Sequence, residues 1–273
     1  MQALWRGWVV GAAVTLLLLP ATGWAQASSI GYEIRWVANT RANVITANLN
    51  DKDIKVAAVL ARGGVGRSES FRSMVGRARP DAAITGTFFG TTCLIPTGDL
   101  VVDGSFLHLG RAGTGLAITP DNAALLVPRQ VGRKTDWAGY DTVICGGPSL
   151  VRGGKIAVDP RAEGFTSGAH FSLAPRTAVG ITKYNKLLLV AVGRGIHLSR
   201  MAKVMKELGA VEAISLDGGT STALSYGSSL IFNPGRRLTN VLAVYATHEK
   251  YAKAMGLTPV AVTQKTGSDV RGS

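Results

Sequence analysis

Acidic side chains are scarce in this sequence: 17 Asp and Glu stand against 30 Lys and Arg, giving a formal charge of +13. Cysteine is scarcer still, with Cys93 and Cys145 alone, and there are four histidines. No Cys-x-x-Cys pair and no His-x-x-x-His spacing occurs, which argues against a built-in zinc site. The chain also lacks a helix-turn-helix, finger or RNA-binding signature, so the basic charge does not point to nucleic acid. No repeat of solenoid or propeller period is present either. What the charge favours is a polyanionic surface or ligand, with plain solubility as the simpler account of much of it.

Long apolar runs are missing as well, apart from Gly7 to Leu19, which is short for a spanning helix. That run follows Arg6 and precedes the small-x-small site Ala25-Gln26-Ala27, the pattern of a cleavable leader over residues 1–27. The expectation is an exported protein, periplasmic or extracellular, with no stable membrane insertion once the leader is removed. Residues 28–249 are expected to form one domain and 250–273 a tail without strong periodicity; the oligomeric state is not legible. In an oxidising compartment an isolated cysteine pair is expected to form a disulfide, here Cys93 to Cys145.

With 46% hydrophobic residues, 17% charged and 34 glycines, the chain is a compact, turn-rich globule. Asn43 to Leu49 and Ile54 to Leu60 flank a polar cluster and read as a hairpin. Ser68 is placed to cap a helix whose apolar residues Phe71, Met74 and Val75 fall at helical spacing before Pro80. Short strands follow around 82–84, 100–102, 115–119 and 123–127, with Asp103-Gly104 and Pro120-Asp121-Asn122 as turns, and Val143 to Cys145 is a short apolar segment before Gly146-Gly147-Pro148-Ser149. Residues 159–175 form a long polar loop of the kind that walls a site, with His170 near its end. Leu187 to Val192 is apolar throughout, as in a strand buried on both faces. Ser199 to Leu208 is amphipathic, with Gly209 at its C-terminal cap. The whole predicts an α+β fold: a sheet-rich single domain with a few helices packed on the sheet.

The densest polar feature is Leu216-Asp217-Gly218-Gly219-Thr220-Ser221-Thr222, after an apolar strand over 211–216. Glycines let backbone approach a ligand, and three hydroxyls lie beside freed N–H groups. From these residues alone, a strand connection with an Asx turn at Asp217 is as good a reading as a binding site. Three more segments change the balance: Ala83-Ile84-Thr85-Gly86-Thr87-Phe88-Phe89, Gly98 to Gly104, and Pro175-Arg176-Thr177-Ala178-Val179-Gly180. In order and spacing the four resemble the phosphodiester glycosidase family over about residues 30–247. The chain departs from the family pattern in two places. Thr85 stands where an Asn is usual, and Thr220 stands where a third glycine is usual.

The resemblance implies a hydrolase acting on a sugar-1-phosphodiester, such as an N-acetylglucosamine-1-phosphodiester or a related phosphosugar of envelope or exopolysaccharide. Asp217 and Asp103 are the carboxylate candidates, although a hairpin turn is the more economical role for Asp103. Arg176 is the phosphate candidate because its guanidinium is planar and permanently charged. Thr177, Thr85, Gly218, Gly219, Thr220 and Ser221 are expected around substrate, with Gly147 in a second wall whose competing reading is a plain turn. His170 and His197 are weaker candidates as proton shuttles. No cofactor is required, and a divalent cation between Asp217 and a substrate phosphate is compatible with the motif. The expected partner is a phosphosugar or anionic glycan, with no nucleic acid. Two other readings stand: a non-catalytic anionic-glycan module, and a metal-dependent phosphodiesterase.

Overall fold

The computed structural model describes residues 28–129 and 133–257. The expected leader and residues beyond 257 lie outside it. In chain order the first strands are β1 (Ile30–Val37), β2 (Thr40–Asn48), β3 (Lys55–Leu60), β4 (Ala82–Thr85), β5 (Leu100–Val102) and β6 (Ser105–His108). Next come β7 (Thr114–Ile118), β8 (Ala124–Pro128), β9 (Thr142–Gly146), β10 (Ser149–Arg152) and β11 (Lys155–Ile156). The last are β12 (Ala174–Thr182), β13 (Lys186–Ile196), β14 (Ala210–Leu216), β15 (Leu224–Tyr226), β16 (Ser229–Phe232) and β17 (Asn240–Tyr245). Three helices accompany them: α1 (Phe71–Ala78), α2 (Leu198–Glu207) and α3 (His248–Met255). The fold is α+β, as expected.

A seven-stranded sheet runs β1-β2-β13-β12-β14-β10-β11; two five-stranded sheets run β16-β15-β4-β17-β3 and β6-β5-β9-β7-β8. The unbroken apolar run of β13 follows from its place in the first. Leu187, Leu189 and Ala191 enter a core shared by all three sheets, while Leu188, Val190 and Val192 meet Met201, Val204 and Met205 of α2. Each of the Leu, Val and Met side chains, fully buried, contributes about 1.5–3 kcal/mol relative to an exposed one. Helices α1 and α3 cover the outer face of the second sheet, where Phe71, Met74 and Tyr251 pack on Ala57, Ala243 and Tyr245.

Several local expectations are corrected. β2 and β3 are not a hairpin: β2 pairs with β1 and β13, and β3 pairs with β17 in another sheet. The cap of α1 is Ser70, whose hydroxyl accepts the Ser73 N–H at 3.3 Å, whereas the Ser68 carbonyl accepts from Arg237. Residues 248–255 are helical, capped by Thr247 and closed by Gly256 at φ 69°, so ordered structure extends past residue 249. The disulfide is absent, since Cys93 and Cys145 are both free thiols. Cys145 on β9 is sealed in a small cluster with Val101, Ala117, Trp137 and Val143, and burial pushes its thiol up. Cys93 sits exposed in a turn, its sulfur 4.0 Å from the Gly90 carbonyl.

Candidate active site

The pairing of β12 with β14 sets Thr177 opposite Leu216, so the start of one strand meets the end of the other. This register brings Arg176 and Asp217 to the same corner. The Thr177 hydroxyl donates to the Asp217 carbonyl at 2.7 Å, and the Asp217 N–H donates to the Gly86 carbonyl at 3.1 Å. Gly218 is required here, because a Cβ would lie 2.7 Å from the Pro175 carbonyl oxygen. Gly219, at φ 59°, then opens a single 3-10 turn, Gly219–Ser221.

Arg176, Asp217, Gly218, Gly219 and Thr220 line an open cavity of about 470 Å³, together with Phe88, Phe89, Arg236 and residues of the 164–174 loop. That size suits a sugar phosphate. The loop expected to wall a site does so. Phe165 and His170 pack on each other at 4.9 Å, and His170 meets Phe88 edge-on at 5.1 Å. Gly147 supports this wall from behind, since a Cβ there would lie 2.6 Å from the Phe165 ring.

Arg176 is only 5% exposed. Its Nε donates to the Ile196 carbonyl at 3.1 Å, and its Nη2 donates to the carbonyls of Ala169, at 3.1 Å, and Ser172. Among the described residues no carboxylate pairs with it. Asp217 pairs with a different arginine. Arg236 Nη2 lies 2.9 Å from Asp217 Oδ2, its Nε donates to the Ser221 hydroxyl, and its guanidinium stands 4.5 Å over the Phe89 ring. Two guanidiniums and one carboxylate thus share the cavity.

Burial pushes the Asp217 carboxyl above its ordinary range, while the Ser221 hydroxyl, Arg236 and the Gly218 N–H pull it back. Burial, then the Arg176 charge, pushes the His170 imidazole down, which keeps it neutral near pH 7. Its Nδ1 is buried without a hydrogen-bond partner. Burial lowers the Arg176 guanidinium as well, from a starting value so high that the charge persists.

The remaining expected residues separate. Thr85 ends β4, fully buried, opposite Val241 and outside the cavity lining. Ser221 is buried under the turn, where it holds Arg236. Asp103 does not reach the cavity: at φ 49°, beside Gly104 at φ 70°, it forms the β5–β6 turn and accepts the Tyr251 hydroxyl at 2.9 Å. His197 lies outside the cavity, at the N-terminal end of α2. Arg236 was missed, because Gly235-Arg236-Arg237 looks in sequence like any basic surface loop. Among the described residues no three His, Cys, Asp or Glu side chains converge. A single carboxylate already paired with arginine is a poor donor set for a divalent cation.

A family model for phosphodiester glycosidases matches residues 78–245. This chain belongs to the phosphodiester glycosidase family. The matched span holds Asp217, Arg176, Arg236 and the whole wall loop. Among solved structures, the pro-peptide-inhibited catalytic domain of zebrafish N-acetylglucosamine-1-phosphodiester alpha-N-acetylglucosaminidase aligns with TM-score 0.63 at 22% identity, covering 79% of this chain and 82% of that one. A hypothetical protein from Synechocystis aligns with TM-score 0.63 at 17% identity over 79% of this chain, which spans 62% of that protein's length. A Burkholderia pseudomallei K96243 structure aligns with TM-score 0.57 at 14% identity, covering 75% and 74% of the two chains. At these identities the structural likeness is one of fold. A comparison with curated proteins finds no match to this sequence.

Proposed function

We propose that this phosphodiester glycosidase family member is an exported hydrolase that cleaves the glycosidic bond of a sugar-1-phosphodiester, an N-acetylglucosamine-1-phosphodiester or a related phosphosugar. One observation carries the reading: among the described residues Arg176 is a buried cation without a carboxylate partner, and it faces a cavity holding a single buried carboxylate, Asp217. With Arg236 the cavity has one more positive than negative group when Asp217 is ionised, which complements the single charge of a phosphodiester. Export is supported by the leader pattern of residues 1–27. Among the described residues no helix is long and apolar enough to cross a membrane.

In this reading the bond between the anomeric carbon and the phosphate oxygen breaks, and its electron pair leaves with the phosphate. Arg176 receives that phosphate, a good leaving group that needs little protonation. Asp217 stabilises the positive charge developing at the anomeric carbon. Glycosidases ordinarily use two carboxyl groups, and here one lines the cavity. The neutral imidazole of His170, which lines the cavity, accepts the proton of the water whose oxygen joins the sugar. A substrate acetamido group offers an alternative source of assistance. The binding-module reading is favoured by one feature, the pairing of Asp217 with Arg236, which partly neutralises the carboxylate before any substrate arrives.

The decisive experiment incubates the purified protein with an N-acetylglucosamine-1-phosphodiester analogue in heavy-oxygen water, with and without chelator. Label in the sugar, unchanged by chelator, is expected, and Asp217→Asn should lower kcat by roughly a thousand-fold or more. Label in the phosphate would make the protein a phosphodiesterase. Binding without turnover would make it a glycan-binding module.

A further inference from the structure

A second concavity lies beside the first. Trp36, on edge strand β1, is 71% exposed, and it stands in cross-strand register with Arg41 of β2. Arg194 near the end of β13, Arg200 in the first turn of α2, and Leu173, 64% exposed, complete a groove of about 360 Å³. Among the described residues no carboxylate lines it. Among the described residues Arg41 and Arg194 make no ion pair, so their charge is available to a ligand. An indole this exposed contributes little to the core, but it offers a flat apolar face beside three guanidiniums.

This corner is held in shape before any ligand arrives. The β1–β2 turn places Ala38 and Asn39 at φ 47° and 53°, and α2 grips it at both ends. Arg200 Nη1 donates to the Ala38 carbonyl at 3.0 Å, and Glu207 accepts the Ala38 N–H at 2.6 Å, which occupies that acid. The groove also adjoins the candidate active site. Ser172 and Ala174 line the cavity while Leu173 between them lines the groove, and groove residue Ile196 gives its carbonyl to Arg176.

We propose that this groove is a secondary subsite for an anionic glycan chain, so that the substrate is an oligomeric or polymeric phosphodiester-linked glycan rather than a single sugar phosphodiester. The proposal rests on the function given above. The Trp36 indole stacks on the face of a sugar ring, and Arg41, Arg194 and Arg200 meet the phosphates that follow it. Because Trp36 is exposed and outside the catalytic cavity, its loss leaves folding and small-substrate turnover intact.

The test compares wild type, Trp36→Ala and the Arg41→Ala/Arg194→Ala double variant on two substrates: methyl N-acetylglucosamine-1-phosphodiester and a phosphodiester-linked glucosamine oligomer. About a ten-fold rise in KM for the oligomer is expected, with kcat and all constants for the small substrate unchanged. Equal KM values across the three proteins would overturn the subsite. To separate this from failure of the proposed reaction, oligomer binding is also titrated by affinity electrophoresis in the Asp217→Asn background. If no protein turns over either substrate, weaker oligomer binding on loss of Trp36 still supports the groove, and unchanged binding refutes it. A single-stranded oligonucleotide of equal charge that displaces the oligomer at lower concentration would overturn the proposal in favour of nucleic acid, whose bases stack on the same kind of platform.

Discussion

Replacing Arg176 by lysine keeps a positive charge and removes the fork that holds three carbonyls. Nε serves Ile196 and Nη2 serves both Ala169 and Ser172, so one guanidinium ties β13 to two points of the wall loop. A lysine ammonium is a point charge at the end of a flexible stem and cannot span those positions. Losing two of the bonds, at about 1.5–3 kcal/mol for each hydrogen bond to a charged group, and regaining part of that through a repositioned ammonium, gives a net loss of about 2–4 kcal/mol. The same change loosens the wall carrying Phe165 and His170, so ligand affinity falls with stability. Urea unfolding with and without inorganic phosphate reads both effects. Phosphate at a hundred times its Kd stabilises wild type by about 2.7 kcal/mol, and at the same concentration Arg176→Lys should show less than half of that. An unchanged urea midpoint would refute the clamp. A lowered midpoint with the full phosphate effect would leave Arg176 structural only and remove it from the anion site.

Three other outcomes follow from particular contacts. Burial works to raise the Glu69 carboxyl, but hydrogen bonds from Arg77, Ser73 and the Arg62 N–H outweigh it and hold the group at about 2 against an ordinary 4.5. A depressed acid stabilises the fold above its unfolded value, and that contribution is lost as pH falls from 4.5 towards 2. Glu69→Gln should therefore cost about 1–3 kcal/mol at neutral pH and flatten the acid limb of a stability-against-pH curve. Gly147→Ala meets both a φ of 143° and the Phe165 ring, so a loss of about 1–3 kcal/mol with a raised KM is expected, checked by unfolding and steady-state kinetics. Asp103→Asn keeps the turn and an acceptor for Tyr251, and kcat should stay within about two-fold of wild type, since the residue lies outside the cavity.

What was legible in the sequence was what neighbours in the chain decide. The apolar run of β13, the amphipathic face of α2 and the Asp103-Gly104 turn each show as a pattern in consecutive residues, and each is found. What was not legible depends on distant partners. Nothing between Asn43 and Leu60 announces that β2 joins one sheet and β3 another, because the deciding contacts are with β13 and β17, far along the chain. The cysteine pair failed for the same reason, since pairing needs two sulfurs to meet and only one of these is in the interior. Within the site, Asp217 and Arg176 were marked by the family resemblance of the segments that carry them. Arg236 carried no such mark, and it becomes part of the site only because its loop folds over the Gly219–Ser221 turn, with the Gly235 N–H bonded to the Thr220 carbonyl at 2.9 Å.

The two departures from the family pattern are not equivalent. Thr85 is buried in the β4–β17 ladder and does not line the cavity, and a polar amide is present nearby without it. Asn240 of β17 accepts the Thr87 N–H at 2.9 Å, in space that a Cβ on Gly86 would fill. The backbone leading to Phe88 and Phe89 is thus supported from the neighbouring strand by Asn240. Thr220 differs in kind: it is exposed on the cavity wall, one residue after Gly219 and bonded to the loop that carries Arg236. Its methyl and hydroxyl occupy space that a glycine would leave to substrate. A Thr220→Gly variant enlarges the cavity at the Arg236 side while leaving Asp217 and Arg176 in place, so under the proposed function it is expected to shift KM between phosphosugars of different ring substitution, and equal KM ratios for variant and wild type would refute a part for position 220 in choosing the sugar.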